Sequence, residues 1–224
     1  MANEAITDSG QASIAQARLA RVVAHGSASH PHLATLVSAT GASASRDLSD
    51  AVHLLCAVHG CHPGLTDLAL DHCPAGDARD WIRKAADAFD RERLYLVRLT
   101  SAIGPMPSTA GSVQTENALL AHRHAIETLA KSERRGCALG AATALVQDWR
   151  AFRTLLDHAA DRSGVDCPAC TLPSDDSLVA VVAAGTDRLA SERALAFGSE
   201  QLLLQHRGLL DLMEARAEAR ERAQ

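Results

Sequence analysis

A chain of 224 residues holds one well-buried domain or two small ones. With 47% hydrophobic but only 3% aromatic residues, its core is built from Ala, Leu and Val, which favours helices over strands. A charged fraction of 22% and a formal net charge of -5 exclude the clustered basic and aromatic surface that nucleic acids require.

No apolar run is long enough to span a bilayer. The opening Met-Ala-Asn-Glu lacks a basic stretch leading into an apolar one, so no signal peptide is expected. Cys56, Cys61, Cys73, Cys137, Cys167 and Cys170 then read as reduced thiols of a cytoplasmic protein.

In chain order, residues 1–45 predict two short, peripheral helices. Ile14, Leu19, Val22 and Val23 mark the first, which ends at Gly26. Pro31 sits at a first helical position of the second, with Ser29 as a cap and Gly41 beyond its end. The small residues from Thr40 to Ser45 read as a loop. A third helix, about Arg46 to Val58, carries Leu48, Val52 and Leu55 and then His59, and stops at Gly60. Pro63 opens a short helix ending before Pro74. Asp77 caps the next, which closes at Gly104, before the loop Gly-Pro-Met-Pro-Ser.

From Ser108 to Cys167 there is no proline, and one helix of that length is too long for a compact domain. A break near Lys131 to Gly136 gives helices over about 112–130 and 134–162. Gly136, Ala138, Gly140, Ala141 and Ala142 make the second thin, so a neighbour can approach closely. After a loop at 163–174, the remainder predicts one or two helices, with Gly185 and Gly198 as interruptions. Leu178 to Val182 reads alternatively as a strand, but no partner strand is evident. The tail over 215–224 is charged and expected to fray. The sequence thus predicts a single-domain all-α bundle of seven or eight helices over 1–224, for which a ferritin-like architecture is one solution.

The functional signal lies in polar residues on apolar helix faces. Ile82, Ala85, Phe89, Glu92, Leu96, Leu99 and Ile103 recur at spacings of three and four, so Glu92 falls where a core side chain belongs. A buried carboxylate must be paired, hydrogen-bonded, protonated or metal-bound. The pattern repeats as Leu119, His122, Ile126; as Leu145, Asp148, Phe152; and as Leu203, His206, Leu210, with Glu200 three residues before Leu203. His124 and Glu127 share a face of their helix.

Carboxylates and imidazoles projected from several helices into a bundle are how iron and manganese centres are built, and zinc accepts the same ligands. Glu92, His122, Asp148 and His206 form the candidate metal set, with His124, Glu127 and Glu200 in the wider cluster. Ferritin-like sites use Glu-x-x-His, whereas His124 and Glu127 stand in the reverse order. The competing reading pairs each group with an arginine, for which Arg93, Arg123, Arg134, Arg150 and Arg207 are at hand.

Cys167-Pro-Ala-Cys170 is the one short redox-like motif, but it falls in a loop between helices rather than at a helix start after a strand. The run His53, Cys56, His59, Cys61, His62, Asp71, His72, Cys73 is the densest in ligand-type residues and reads as a packed helix end. No phosphate-binding glycine loop and no Gly-x-Ser-x-Gly elbow occurs.

The segments from His53 to Gly64, Arg134 to Ala142 and Glu200 to Leu209 resemble an uncharacterised family of all-helical proteins of sphingomonad-type alphaproteobacteria. That resemblance implies a helical fold and supplies no catalytic residues. Three functions stay open on the sequence. One is a metal-binding bundle. The second is a non-catalytic module that self-associates as a homo-oligomer through the Ala/Gly-rich faces around Gly140. The third is a bundle that binds a small molecule among the same polar groups. Whether it is an enzyme stays open.

Overall fold

The computed structural model describes residues 2–73, 76–185 and 189–223, with side chains from residue 13 onward. Among them are nine α-helices and no strand: α1 (Ala2–His25), α2 (Pro31–Ser38), α3 (Ala42–His59), α4 (Leu65–His72), α5 (Asp77–Ala102), α6 (Ser112–Ala130), α7 (Cys137–Ser163), α8 (Asp175–Gly185) and α9 (Leu189–Arg222). A single 3-10 turn, Ser27–Ser29, joins α1 to α2. Leu178 to Val182 lies in α8, so the strand alternative falls. The count reaches nine with the region after the 163–174 loop forming two helices, α8 and α9.

Helix α7 is the hub, touching every other element. Alanine-rich along one side, it carries Leu145, Trp149, Phe152, Leu155 and Leu156, all buried, into one continuous hydrophobic core. Its thin N-terminal half is met by α9 in the same chain. A Cβ at Gly140 would lie 2.0 Å from the Leu195 carbonyl oxygen, and one at Gly198 would lie 2.0 Å from that of Cys137. The Gly140 face expected to meet a second copy is therefore occupied within the chain. Gly198 does not interrupt α9; it lets the two backbones touch.

Local signals were displaced by a few residues. The cap of α2 is His30, whose Nδ1 accepts from the His32 amide at 3.2 Å, not Ser29. Helix α3 begins at Ala42, inside the stretch expected to be loop, because Gly41 takes a positive φ of 95° and turns the chain into it. Gly76 rather than Asp77 precedes α5.

The tail departs most from expectation. Helix α9 runs on to Arg222, and Arg216 and Arg220 turn inward. Arg216 clasps Asp50 with two hydrogen bonds at 2.9 and 2.7 Å, and Arg220 reaches Asp50 at 2.7 Å and Asp47 at 2.8 Å. Bidentate pairing of desolvated charges holds the helix end against α3, so fraying stops short of Arg220. No helix among the described residues is long and apolar enough to cross a membrane.

Candidate functional site

Glu92 is buried on α5 and faces α7. Trp149 Nε1 donates to its Oε2 at 3.0 Å, and Arg153 Nη1 to its Oε1 at 2.8 Å. Arg153 also donates from Nε to Asp157 at 2.6 Å and from Nη2 to the Pro168 carbonyl, and it lies 4.6 Å over the Tyr95 ring. Burial lowers the affinity of Arg153 for its proton, but Asp157 and Glu92 more than restore it. The partner is none of the five arginines the sequence suggested. Arg150, next to Asp148 in sequence, points outward to Asp175 at 2.6 Å. Arg153 left one signal, since Trp149 four residues before and Leu156 three after place it on a buried stripe.

Asp148 and His206 do meet. The carboxylate accepts from His206 Nδ1 at 2.6 Å, from the Ser27 amide at 2.7 Å and from its hydroxyl at 2.6 Å. Burial pushes the Asp148 carboxyl up, but the His206 and Ser27 hydrogen bonds outweigh it and hold it below its ordinary value. The other sequence candidates disperse. His122 Nδ1 pairs with Gln205 at 2.9 Å. His124 is exposed, Glu127 pairs with Lys131 at 2.5 Å on the surface, and Glu200 pairs with Arg21 at 3.2 Å.

No group of three metal-type ligands among the described residues contains Glu92, His122, Asp148 or His206. Two other groups have the spacing, and neither has the donor state. His30, Asp211 and Glu214 converge, but His30 Nδ1 accepts the His32 amide, which leaves the ring proton on Nε2, donated to Asp211 at 3.0 Å. In the second group, His62, Asp67 and Asp90, the Arg93 guanidinium already sits on both carboxylates, 2.9 Å from Asp67.

His59, which the sequence places on the third helix's apolar stripe and in a packed helix end, has a more particular setting. It ends α3, is 9% exposed, and its Nε2 has no hydrogen-bond partner. Its ring packs edge-on against Trp149 at 5.2 Å and against His206 at 5.1 Å. Burial, reinforced by His206 and His122, holds its pKa well below the ordinary histidine value, so the ring is neutral.

His59 also lines a cavity of about 270 Å³, between the α3–α4 connection, α4, α5 and α6. The floor is apolar, from Val58, Leu65, Phe89, Ile126 and Leu145. A second residue with a buried, unpartnered polar atom lines it too: Thr66, 1% exposed, whose Oγ1 has no partner. Arg93 lines one wall, with Nη2 spent on Asp67, Asp90 and His62. Exposed Arg123, Glu127, Lys131 and His62 form the rim. The dense run of ligand-type residues is therefore not merely a packed helix end, since it supplies His59, Cys61 and His62 to this cavity. Thr66 left no trace in the sequence; an isolated threonine opening a helix is unremarkable until its neighbours are known.

Cys167 and Cys170 are free and exposed. Tyr95 Oη lies 3.6 Å from Cys167 Sγ and donates to Asp157 at 2.9 Å, and burial together with these bonds pushes the phenol well above its ordinary pKa.

No curated protein and no solved structure matches the chain. Residues 22–221 match the family of unknown function DUF6975, and the chain belongs to it.

Proposed function

We propose that this member of DUF6975 binds a small molecule in the cavity beside His59. The observation that carries the reading is that His59 and Thr66, each with a buried polar atom that lacks a hydrogen-bond partner, both line one cavity. A buried polar atom without a partner costs about 1–3 kcal/mol, and two at one apolar hollow are what a bound molecule with polar groups would satisfy. The volume sits just below the usual range for ligand pockets, about 300–1,000 Å³, which suits a fragment-sized molecule. His59 also backs onto His206 and Asp148, so the interior network holds the ring that the ligand meets. A metal centre at Glu92, His122, Asp148 and His206 is the weaker reading, because Arg153, Trp149, Gln205 and Ser27 already use those groups.

The test is amide shift mapping and thermal denaturation with benzyl alcohol, benzamide, benzoate and phenyl phosphate. A probe at a hundred times its Kd adds about 2.7 kcal/mol, roughly 5–10 °C in Tm at this chain length. Thr66→Val removes one of these unpartnered atoms without changing shape, so the apoprotein should be as stable or slightly more stable while the probe-induced shift shrinks. If no probe moves the amides of Thr66, Phe89 and Arg93, the reading is wrong.

A further inference from the structure

The charged groups around the cavity are unevenly spent. Among the lining side chains, the Glu127 carboxylate is taken by Lys131, and the acids behind the wall, Asp67 and Asp90, are taken by Arg93. What the charged groups leave over is guanidinium N–H, beside His59 and Thr66, which can each donate or accept. Arg93 is 8% exposed, with its hydrogen bonds all made through Nη2, so Nη1 is unspent. The Thr66 hydroxyl has no partner, and Arg123 at the rim has no ion pair among the described residues. Unspent guanidinium N–H groups call for an acceptor, and a guanidinium edge suits planar or tetrahedral oxyanions.

The backbone at Gly64 adds an independent sign. A Cβ there would lie 2.8 Å from Arg93 Nη1, although φ of -99° and ψ of -168° suit any residue. With glycine there, Arg93 Nη1 keeps its place; a methyl group would push the end of the arginine side chain aside.

We infer that the ligand is a small organic anion, a carboxylate or a phosphate monoester on a short apolar body; this rests on the cavity being a ligand site. The anionic end meets Arg93 Nη1 and Arg123. The body lies on Phe89, Leu145 and Ile126, where Thr66 and His59 reach a polar atom on it.

The experiment compares benzoate, phenyl phosphate, inorganic phosphate and neutral benzyl alcohol by amide titration at matched ionic strength. One of the two organic anions should bind about ten-fold or more tighter than benzyl alcohol, as expected of charge-assisted over neutral hydrogen bonds, and the tighter of them identifies the head group. Gly64→Ala, which displaces only the end of the Arg93 side chain, and Arg123→Gln should each weaken that anion several-fold and leave benzyl alcohol unchanged. Benzyl alcohol binding as tightly as the anions would overturn the anion assignment while leaving the cavity reading intact. Inorganic phosphate matching phenyl phosphate would overturn the apolar body. Silence from all four probes would remove the cavity reading itself.

Discussion

Replacing Gly140 or Gly198 by alanine tests whether the α7–α9 crossing is as close as described. The added methyl carbon would sit 2.0 Å from a backbone carbonyl oxygen in each case, against an ordinary contact of at least 3.4 Å, so the helices must part by roughly 1.4 Å locally. Backbone cannot rotate away as a side chain can. Overpacking of this kind costs about 1–3 kcal/mol, and a contact with backbone belongs at the upper end. Alanine regains about 1 kcal/mol of helix propensity. Each substitution should therefore destabilise the fold by roughly 2 kcal/mol. Gly208→Ala is the internal control: its Cβ would meet only the edge of the His122 ring, at 3.0 Å, so the propensity gain should leave stability unchanged or slightly raised. Urea denaturation followed by far-ultraviolet circular dichroism gives the midpoint, with a constant slope confirming that the denatured state is unaltered. The double substitution should cost less than the sum of the two, because one separation of the helices relieves both contacts. A midpoint for Gly140→Ala or Gly198→Ala at or above that of the natural chain would refute the argument.

Glu92→Gln should cost about 2–4 kcal/mol in the same assay. Breaking a buried pair typically costs 3–5 kcal/mol, and Arg153 keeps Asp157 and the Pro168 carbonyl as partial compensation. A loss under about 1 kcal/mol would show that the pair is not desolvated as its burial implies. Acid sensitivity should begin at near-neutral pH. His59 and His32 both have folded pKa values depressed by burial, so the unfolded chain takes up their protons first. Their contribution is complete above the unfolded value of about 6.5 and is lost as pH falls below it, by up to about 1.4 kcal/mol per unit for each ring. His59→Gln should flatten the stability profile between about pH 7 and 5 without abolishing the slope, since His32 remains. Asp148 adds its own loss only below about pH 4, because its depressed carboxyl stabilises the fold above the unfolded value and not beneath it. An unchanged profile in the His59 variant would contradict a buried neutral ring.

Helix type and order were readable in the sequence because long periodic stripes with few aromatics admit little else. The α6 boundaries, Ser112–Ala130, lie where Gly111 and the break before Gly136 put them. The thinness of α7 was also readable, but which helix it met was not, since small residues permit a close approach without naming the partner. Glu92 illustrates the same division. Its spacing placed it in the core, yet its arginine lay 61 residues away on a helix whose rotation the stripe alone does not fix. His59 was read as part of a packed helix end for another reason. On α3 it ends a buried stripe and resembles any packed residue; only the absence of a partner, a property of its surroundings, distinguishes it. Arg216 and Arg220 were read as part of a solvated charged tail, because the acids that draw them inward stand 166 to 173 residues earlier.

That separation has a consequence for how the protein is made. Asp50 leaves the ribosome long before Arg216, and at about 5–20 residues per second the wait is roughly ten to thirty seconds. Until then α3 carries a carboxylate that no partner neutralises, and α7 lacks the helix that covers its glycines. The nascent chain therefore lacks part of its core until α9 emerges, and α9 completes the charge pairs and the packing on α7 together. Synthesis order thus makes α9 the clasp that covers the glycine face of α7 and pairs the acids of α3.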